Sequence, residues 1–151
     1  MVTLTDAQAK LFLDKNFGVL ATIREDGTPN VTPVWVDWDG RNIVFNTSYG
    51  RAKDLHLRRD PRCTILVVNP NDPYDWVSVT GTAIEITEDG AEAHIDKLAM
   101  KYEGVEKYPY LLPGERRVKV TVRPDRVAAF QPGNVQMARA KTRLAKRGLR
   151  Y

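Results

Sequence analysis

The sequence predicts a mainly β protein, an antiparallel barrel of six or seven strands with peripheral helices. Three observations carry this prediction. Six or seven short runs are rich in apolar and β-branched residues, most connections between them are too short for parallel crossovers, and helical periodicity occurs only between some of the runs. The chain has 151 residues and is 42% hydrophobic, which fits one globular domain.

The chain is predicted to begin with a helix. Thr5 and Gln8 have the spacing of a capping box, and Ala9, Phe12 and Leu13 form one apolar face behind it. The pattern changes to that of strands after Gly18.

The first three strands are predicted at residues 19–23, 31–38 and 43–46. Pro33 lies inside the second of these and cannot donate to a strand ladder, so this strand should lie at a sheet edge or carry a bulge. Asp39 and Gly40 predict a tight hairpin between the second and third strands.

The second half of the chain mixes helices and strands. A short helix is predicted over residues 50–59, a strand over 63–68, a loop over 69–73, a long strand over 76–87, a helix from 91 to 102, and two final strands over 118–122 and 127–130. Gly81, inside the long strand, indicates a bulge or a close approach of two backbones.

Charge divides the chain into two parts. Residues 139–151 contain six basic residues and no acidic one, whereas residues 1–138 carry a net charge of −2. We therefore predict a barrel domain over residues 1–138 and a basic tail over 139–151. Such a tail can bind nucleic acid, a membrane surface or an anionic ligand, or can be a solvated helix.

The sequence gives little support to catalysis by side chains alone. Cys63 is the only cysteine and lies in an apolar strand, while His56 and His94, the only histidines, lie on separate predicted helices. No apolar stretch resembles a membrane span or a signal peptide, so we expect a cytoplasmic protein without a membrane partner. If the protein is an enzyme, we expect a cofactor to carry the reaction, and no metal site is predicted.

Residues 45–53 (FNTSYGRAK) carry the strongest local signal. A strand ends in amide and hydroxyl side chains, Gly50 follows, and a helix then opens with Arg51 and Lys53. Helix-start amides, hydroxyl donors and two cations around one point suit a phosphate. The alternative is an ordinary helix cap followed by solvated charges, although cations at a helix start oppose the macrodipole.

Several short motifs, in this order and spacing, resemble the pyridoxamine 5′-phosphate oxidase-like flavin-binding superfamily. They are residues 18–23 (GVLATI), 26–30 (DGTPN), 50–55 (GRAKDL) and 58–62 (RRDPR), together with a Trp-bearing second strand. The resemblance covers most of residues 8–130 and is strongest to the branch that uses the deazaflavin coenzyme F-420. It implies a split β-barrel and a homodimer with two cofactor sites at its interface.

The resemblance also implies site residues. The cofactor's ring would lie near Thr32, Pro33, Val34 and Trp35, its phosphate near Asn46, Thr47, Arg51 and Lys53, and the partner chain would contribute Trp76, Val77 and Ser78. Trp35 and Trp76 are equally compatible with a plain core role. The carboxyl-terminal Arg-x-His signature of true pyridoxamine-phosphate oxidases is missing, which argues against vitamin B6 oxidation.

The function expected from this resemblance is hydride transfer from reduced coenzyme F-420 to an unsaturated or conjugated small organic molecule. An enzyme that uses flavin mononucleotide (FMN) on the same scaffold is the alternative. A non-catalytic flavin or deazaflavin binder is a further possibility, because fold does not fix function. A nucleic-acid accessory role through the basic tail ranks below these and would show a steep dependence on salt.

Overall fold

The computed structural model describes residues 2–150. The elements in chain order are α1 (Asp6–Leu13), β1 (Gly18–Ile23), β2 (Pro29–Val34), β3 (Val36–Trp38), β4 (Ile43–Ser48), α2 (Ala52–Arg59), β5 (Arg62–Asn69), β6 (Asp72–Thr87), α3 (Ala91–Glu103), β7 (Arg117–Ala129) and α4 (Gly133–Lys146). No helix within residues 2–150 is long and apolar enough to cross a membrane.

All seven strands form one antiparallel sheet with the order β2-β1-β5-β6-β7-β4-β3. Its two edge strands, β2 and β3, are consecutive in the chain and are separated only by Trp35. The sheet must therefore curl until its edges meet at this residue. The result is a split barrel whose opening lies at Trp35, which confirms the predicted fold class.

The interior of the barrel is filled by aliphatic and aromatic side chains from the strands and from α1. Its largest fully buried members are Phe12, Leu20, Ile43, Phe45, Leu57 and Ile65. α1 begins with the predicted capping box, in which Thr5 Oγ1 accepts from the Gln8 backbone at 3.2 Å and Gln8 Oε1 accepts from the Thr5 backbone at 3.0 Å. This cap fixes the start of a helix that places Phe12 in the core.

Helix α3 supports the barrel at its opening. Val36 begins β3, and its backbone N–H donates to the Tyr102 phenol at 3.0 Å, while that phenol donates to the Asn16 carbonyl at 2.6 Å. Lys101 Nζ donates to the Val36 carbonyl at 2.6 Å. Burial raises the pKa of Tyr102 to about 12, so the phenol keeps the proton that it donates. The edge strands β2 and β3 do not pair with each other. Two side chains of α3 therefore bond backbone groups at the opening that would otherwise be unpaired.

Gly81 confirms the predicted close approach. The register of β6 against β7 shifts between Thr80 and Gly81. A Cβ atom at position 81 would lie 2.4 Å from the Arg123 carbonyl oxygen and 2.7 Å from Val122 Cγ1. Only glycine lets the two longest strands pass at this distance.

Four sequence predictions are corrected in detail. The single strand predicted over 31–38 is two strands, because Pro33 lacks a donor and the chain changes sheet edge at Trp35. The loop predicted over 69–73 is a tight turn, so β6 begins at Asp72, and the two final strands are one continuous β7. The tail boundary predicted at residue 139 lies inside α4. Tyr151, the last residue of the predicted tail, lies outside the described residues.

Candidate functional site

A cleft of about 280 Å³ lies at the opening of the barrel. Its lining comes from the barrel edges, the start of α2, α3 and the α3–β7 loop: Phe17, Pro33, Val34, Trp35, Asn46, Thr47, Arg51, Lys53, Ile95, Tyr108, Tyr110 and Arg117. Seven of the eight residues predicted for the cofactor's ring and phosphate are in this set. Thr32 is the exception, since it lies one residue before Pro33 without lining the cleft.

One side of the cleft, which we call the cation wall, consists of Arg51, Lys53 and Arg117. Gly50 has a φ of +85° and turns the chain from β4 into α2, which brings Arg51 to the N-cap position of the helix. The Arg51 side chain makes no capping hydrogen bond, and its Nη2 lies 4.0 Å from Glu115 Oε1. It is therefore held beside the cleft rather than used by its own helix.

Arg117 is the buried member of the cation wall, with 5% of its surface exposed. Its Nε donates to Asn46 Oδ1 at 2.8 Å, and its Nη1 donates to Ser48 Oγ at 3.0 Å and to Glu115 Oε1 at 2.7 Å. Antiparallel pairing of β4 with β7 sets Ser48 opposite Arg117. The network fixes the guanidinium on the cleft side of the sheet.

Glu115 is the acidic partner of the cation wall. Burial raises the pKa of this carboxyl, but hydrogen bonds from the Leu112 backbone, Ser48 and Arg117 outweigh burial and lower the pKa to about 2. The carboxylate is thus ionised at neutral pH and balances Arg117. One carboxylate faces three cations, so the wall as a whole remains positive.

Lys53 faces like charges. Burial lowers the pKa of its ammonium, and the Arg51 and Arg117 charges lower it further. An anion in the cleft would reverse this unfavourable arrangement, because it would attract all three cations at once.

Two hydroxyls near the cleft are buried without a hydrogen-bond partner among the described residues. They are Thr47 Oγ1, which belongs to a residue that lines the cleft, and Thr32 Oγ1. Buried polar atoms in proteins are normally bonded, so these two hydroxyls are exceptions to the usual pattern.

Five aromatic rings contact one another in series, and we call them the aromatic row: Phe17, Tyr102, Trp35, Tyr108 and Tyr110. Four of them line the other side of the cleft, whereas Tyr102 is buried. Trp35 stacks on Tyr102 with ring centroids 5.2 Å apart and planes 7° apart. Tyr108 meets Trp35 edge-on at 6.0 Å and lies 5.1 Å from the Arg117 guanidinium. The aromatic row and the cation wall therefore adjoin at Tyr108.

A second polar network lies behind Asn46. The Asn46 amide donates to the Ala91 carbonyl at 2.9 Å and lies 3.2 Å from His94 Nδ1, while His94 Nε2 lies 3.7 Å from Asp37 Oδ2. Burial raises the pKa of Asp37, but the nearby His94 and the hydrogen bond from Lys97 hold that pKa well below its ordinary value. Because Arg117 donates to the Asn46 oxygen, the amide nitrogen must point to Ala91 and His94, which fixes the orientation of Asn46.

The structure does not bring Trp76, Val77 and Ser78 to the cleft of the same chain. Val77 is fully buried in the barrel core, and Trp76 lines a separate groove between β6, β7 and α4. These residues were predicted as contributions of a partner chain, and that remains a prediction. Cys63 is a buried core residue, as predicted, and burial raises the pKa of its thiol to about 12.

Sequence reasoning missed Arg117, Glu115 and the two tyrosines of the α3–β7 loop. The position of Arg117 at the start of an apolar strand gave a weak signal, since charged residues rarely open a buried strand without a partner. Tyr108 and Tyr110 gave no local signal, because only the packing of α3 brings their loop to Trp35.

Comparison with known proteins now bears on this site. A family model described as pyridoxamine 5′-phosphate oxidase matches residues 4–130, most of the chain. The chain belongs to this family. This result confirms the resemblance that the sequence motifs indicated.

Solved structures show the same fold. An F-420 reductase is 31% identical, with a TM-score of 0.74 over 83% of this chain and 98% of that one. A conserved hypothetical protein from Mycobacterium tuberculosis is 25% identical, with a TM-score of 0.65 over 89% of each chain. HupZ from Group A Streptococcus is 19% identical, with a TM-score of 0.63 over 87% of this chain and 97% of that one, and its likeness concerns the fold alone. The chain is thus similar in sequence and fold to a protein named F420 reductase.

Proposed function

We propose that this protein is an oxidoreductase that transfers a hydride from reduced coenzyme F-420 to an unsaturated or conjugated organic molecule. Family membership and 31% identity to an F-420 reductase support an oxidoreductase in general. The observation that carries the proposal is the cation wall, in which Arg51, Lys53 and Arg117 line one cleft.

The cation wall fits the phosphate of a flavin-type cofactor. Arg51 and Lys53 would donate charge-assisted hydrogen bonds to phosphate oxygens, and Thr47 lines the same cleft beside them. The Nε and Nη1 groups of Arg117 already donate to protein acceptors, so Arg117 would act mainly through its charge. Thr47, Arg51 and Lys53 thus have the phosphate-binding role that the sequence analysis predicted, and Arg117 joins them.

Pro33, Val34 and Trp35 would hold the cofactor's ring against the open edge of the barrel. Their cleft side is apolar apart from backbone groups, and it excludes water from one face of a planar ring. When bound, the reduced deazaflavin supplies the hydride, and the acceptor gains a proton from solvent in the same two-electron reduction. The protein's own part is binding, orientation and exclusion of water.

We further propose that two copies of the chain assemble into a homodimer. One row of register-paired residues crosses five strands on the outer face of the sheet: Pro33, Val19, Leu66, Ser78 and Ala128. All five are at least partly exposed and none is charged. An uncharged, exposed face of this kind is typical of an interface, and a second copy would bring the segment with Ser78 toward Pro33 at the cleft edge.

Light scattering at micromolar concentration is expected to give twice the chain mass, and a monomer would refute the dimer.

The function is tested by titrating the purified protein with F-420 and with FMN while following the absorbance and fluorescence of each cofactor. We expect saturable F-420 binding and weaker or no FMN binding. A preference for FMN would support the alternative of an FMN enzyme. Saturable F-420 binding without oxidation of reduced F-420 by any conjugated acceptor would support a non-catalytic binder.

We propose the cytoplasm as the place of the reaction, and this too remains a prediction.

A further inference from the structure

We propose that His94, a residue of α3 that does not itself line the cleft, is a positioning residue for the cation wall. In its neutral form, with the proton on Nε2, His94 orients the Asn46 amide, and Asn46 in turn holds the Arg117 guanidinium in place for an anion. The inference rests on the proposed function for the identity of that anion, the cofactor's phosphate. It adds to the site a residue that does not touch the ligand.

The orientation of the Asn46 amide is set from two sides. Arg117 Nε can only donate, and it lies 2.8 Å from Asn46 Oδ1. The Ala91 carbonyl can only accept, and it lies 2.9 Å from Asn46 Nδ2. The Asn46 oxygen therefore faces Arg117, and its NH₂ group faces α3. An amide turned over by half a rotation would lose both bonds.

This orientation determines where His94 carries its proton. Asn46 Nδ2 lies 3.2 Å from His94 Nδ1, and because the amide nitrogen is a donor, Nδ1 must accept. The proton of the neutral ring is then on Nε2. A proton on Nδ1 would place two donors face to face and would favour the turned-over amide, which cannot accept from Arg117. Only the form with the proton on Nε2 supports the cation wall.

The other nitrogen of the His94 ring faces a fixed carboxylate. His94 Nε2 lies 3.7 Å from Asp37 Oδ2, and both side chains are only 9% exposed. Asp37 is itself held by the Trp38 backbone N–H at 2.9 Å and by Lys97 Nζ at 2.8 Å. Nε2 makes no hydrogen bond among the described residues, so electrostatic attraction to Asp37 favours this ring orientation.

The network connects four elements of the fold. Asp37 belongs to β3, His94 to α3, Asn46 to β4 and Arg117 to β7. Helix α3 already supports the opening of the barrel, and through His94 it also reaches the cation wall. One helix thus holds in place both the edge proposed for the cofactor's ring and the wall proposed for its phosphate.

The first test reads the His94 proton directly, by nitrogen NMR of the isotope-labelled full chain at neutral pH without cofactor. We expect an unprotonated Nδ1 and a protonated Nε2. The Arg117 Nε–H signal should shift in His94→Leu and keep its position in His94→Asn. A proton on Nδ1 in the unaltered protein would overturn the proposal. This reading needs no substitution, so it decides the proposal even if a variant does not fold.

The second test separates positioning from side-chain bulk. His94→Asn places an amide oxygen near the position of Nδ1 and can still accept from Asn46, whereas His94→Leu cannot accept. We expect His94→Leu to weaken F-420 binding about two- to tenfold, the range of one neutral hydrogen bond, and His94→Asn to retain most of the affinity. Equal losses in the two variants would contradict a positioning role.

His56→Leu is the matched control. His56 is the other histidine of the chain and lies on α2, where its Nδ1 is 2.9 Å from Thr22 Oγ1 on β1. This variant should leave F-420 binding unchanged, because His56 bonds to Thr22 rather than to Asn46. A loss as large as that of His94→Leu would mean that removal of any half-buried histidine weakens binding, and the assignment to His94 would fail.

The third test asks whether His94 acts through Asn46. In a chain that already carries Asn46→Leu, adding His94→Leu should weaken F-420 binding no further, because the amide that His94 orients is gone. Spectroscopic titration of the single and double variants measures this. If the second substitution brings the same loss as His94→Leu alone, the two residues act independently and the inference is wrong.

Sulfate separates this inference from the proposed function. A sulfate titration of the full chain, followed at the Arg117 Nε–H signal, probes the cation wall without cofactor. We expect sulfate to bind His94→Leu about two- to tenfold more weakly than the unaltered protein. Equal sulfate affinities would overturn the inference. Failure of F-420 to bind the unaltered protein, with the sulfate difference intact, would instead overturn the proposed function alone.

Discussion

The cation wall and helix α4 are the two basic regions of this protein, and they differ in how their charges are held. Arg117 in the cation wall is buried and makes three side-chain hydrogen bonds. None of the 14 residues of α4, all of which the structure describes, is buried, and its cations are exposed. α4 holds four basic residues and no acidic one, yet it is the basic region without a buried residue.

The comparison shows that the number of charges does not identify a binding site. Exposed cations on a helix are screened by salt and contribute little individually. A buried cation must be balanced by protein groups that fix its position, and this fixed position is what a ligand recognises. Four predictions test the difference between the two regions.

The largest effect is expected from Arg117→Met. The substitution removes three hydrogen bonds and leaves Glu115 buried beside an apolar side chain. We expect the free energy of unfolding to fall by about 3–5 kcal/mol, measured by urea denaturation. The control is Arg143→Met in α4, which should change it by less than about 0.5 kcal/mol. Similar values for the two variants would refute the contrast.

Glu115→Gln should destabilise the protein by about 1.5–3 kcal/mol at neutral pH, because hydrogen bonds to a charged group are lost. The pKa of Glu115 is lowered from 4.5 to about 2 in the folded protein. Its stabilising contribution is thus complete above pH 4.5 and is lost as the pH falls from there toward 2. Urea denaturation at pH 6 and pH 3 should show the gap between variant and unaltered protein shrinking. The control, Glu25→Gln in an exposed turn, should show no such gap at either pH; a constant gap for Glu115→Gln would contradict the low pKa.

Arg51→Ala and Lys53→Ala should each weaken F-420 binding by about ten- to a hundredfold, because each removes a charge-assisted hydrogen bond to phosphate. The free energy of unfolding should change by less than about 0.5 kcal/mol, since Arg51 is exposed and burial already disfavours the Lys53 charge. Spectroscopic titration and urea denaturation measure the two effects.

Arg59→Ala is the matched control for these variants. Arg59 is an exposed cation on the same helix, α2, and donates to the Ile23 carbonyl. Arg58 would be a poor control, because its Nε donates at 2.8 Å to Asp54, a carboxylate that is fully buried. If Arg59→Ala weakens F-420 binding as much as Lys53→Ala does, general surface charge explains the binding and the phosphate clamp is wrong.

The smallest effect is expected from removing α4. A chain that ends at Pro132 should keep its free energy of unfolding within about 0.5 kcal/mol, because no residue of α4 is buried. Urea denaturation of the shortened chain measures this. A decrease of about 2 kcal/mol or more in the free energy of unfolding would show that α4 packs on the barrel or on a partner chain. The two basic regions would then not differ in packing as proposed.

The sequence revealed those parts of the site that lie close together in the chain. Asn46, Thr47, Arg51 and Lys53 belong to one strand–turn–helix segment, so their chemistry was visible without tertiary structure. Arg117 lies 71 residues beyond Asn46, and only the pairing of β4 with β7 brings the two together. Long-range pairing of this kind has no local signature.

The fold was predictable for a related reason. Hairpins and periodic runs identified most strands, but not the place where the barrel opens. Val34 and Val36 are two positions apart, which predicts that both lie on one face of a single continuous strand. The sequence therefore places Trp35 inside that strand. The sheet edge that each strand joins depends on its pairing partners elsewhere in the chain. The alternation of residues along a strand does not specify those partners.

The position of β7 also has a consequence for synthesis on the ribosome. β7 is the last strand made, yet it lies between β6 and β4, and it is the only strand that links β4 and β3 to the rest of the sheet. Until residue 129 has left the exit tunnel, β4 and β6 each expose an unpaired edge to the crowded cell. The part of the sheet formed by β2, β1, β5 and β6 cannot be joined to the part formed by β4 and β3 before β7 is made. The nascent chain should therefore depend on chaperones up to its final strand, and the cleft should be the last feature of the molecule to form.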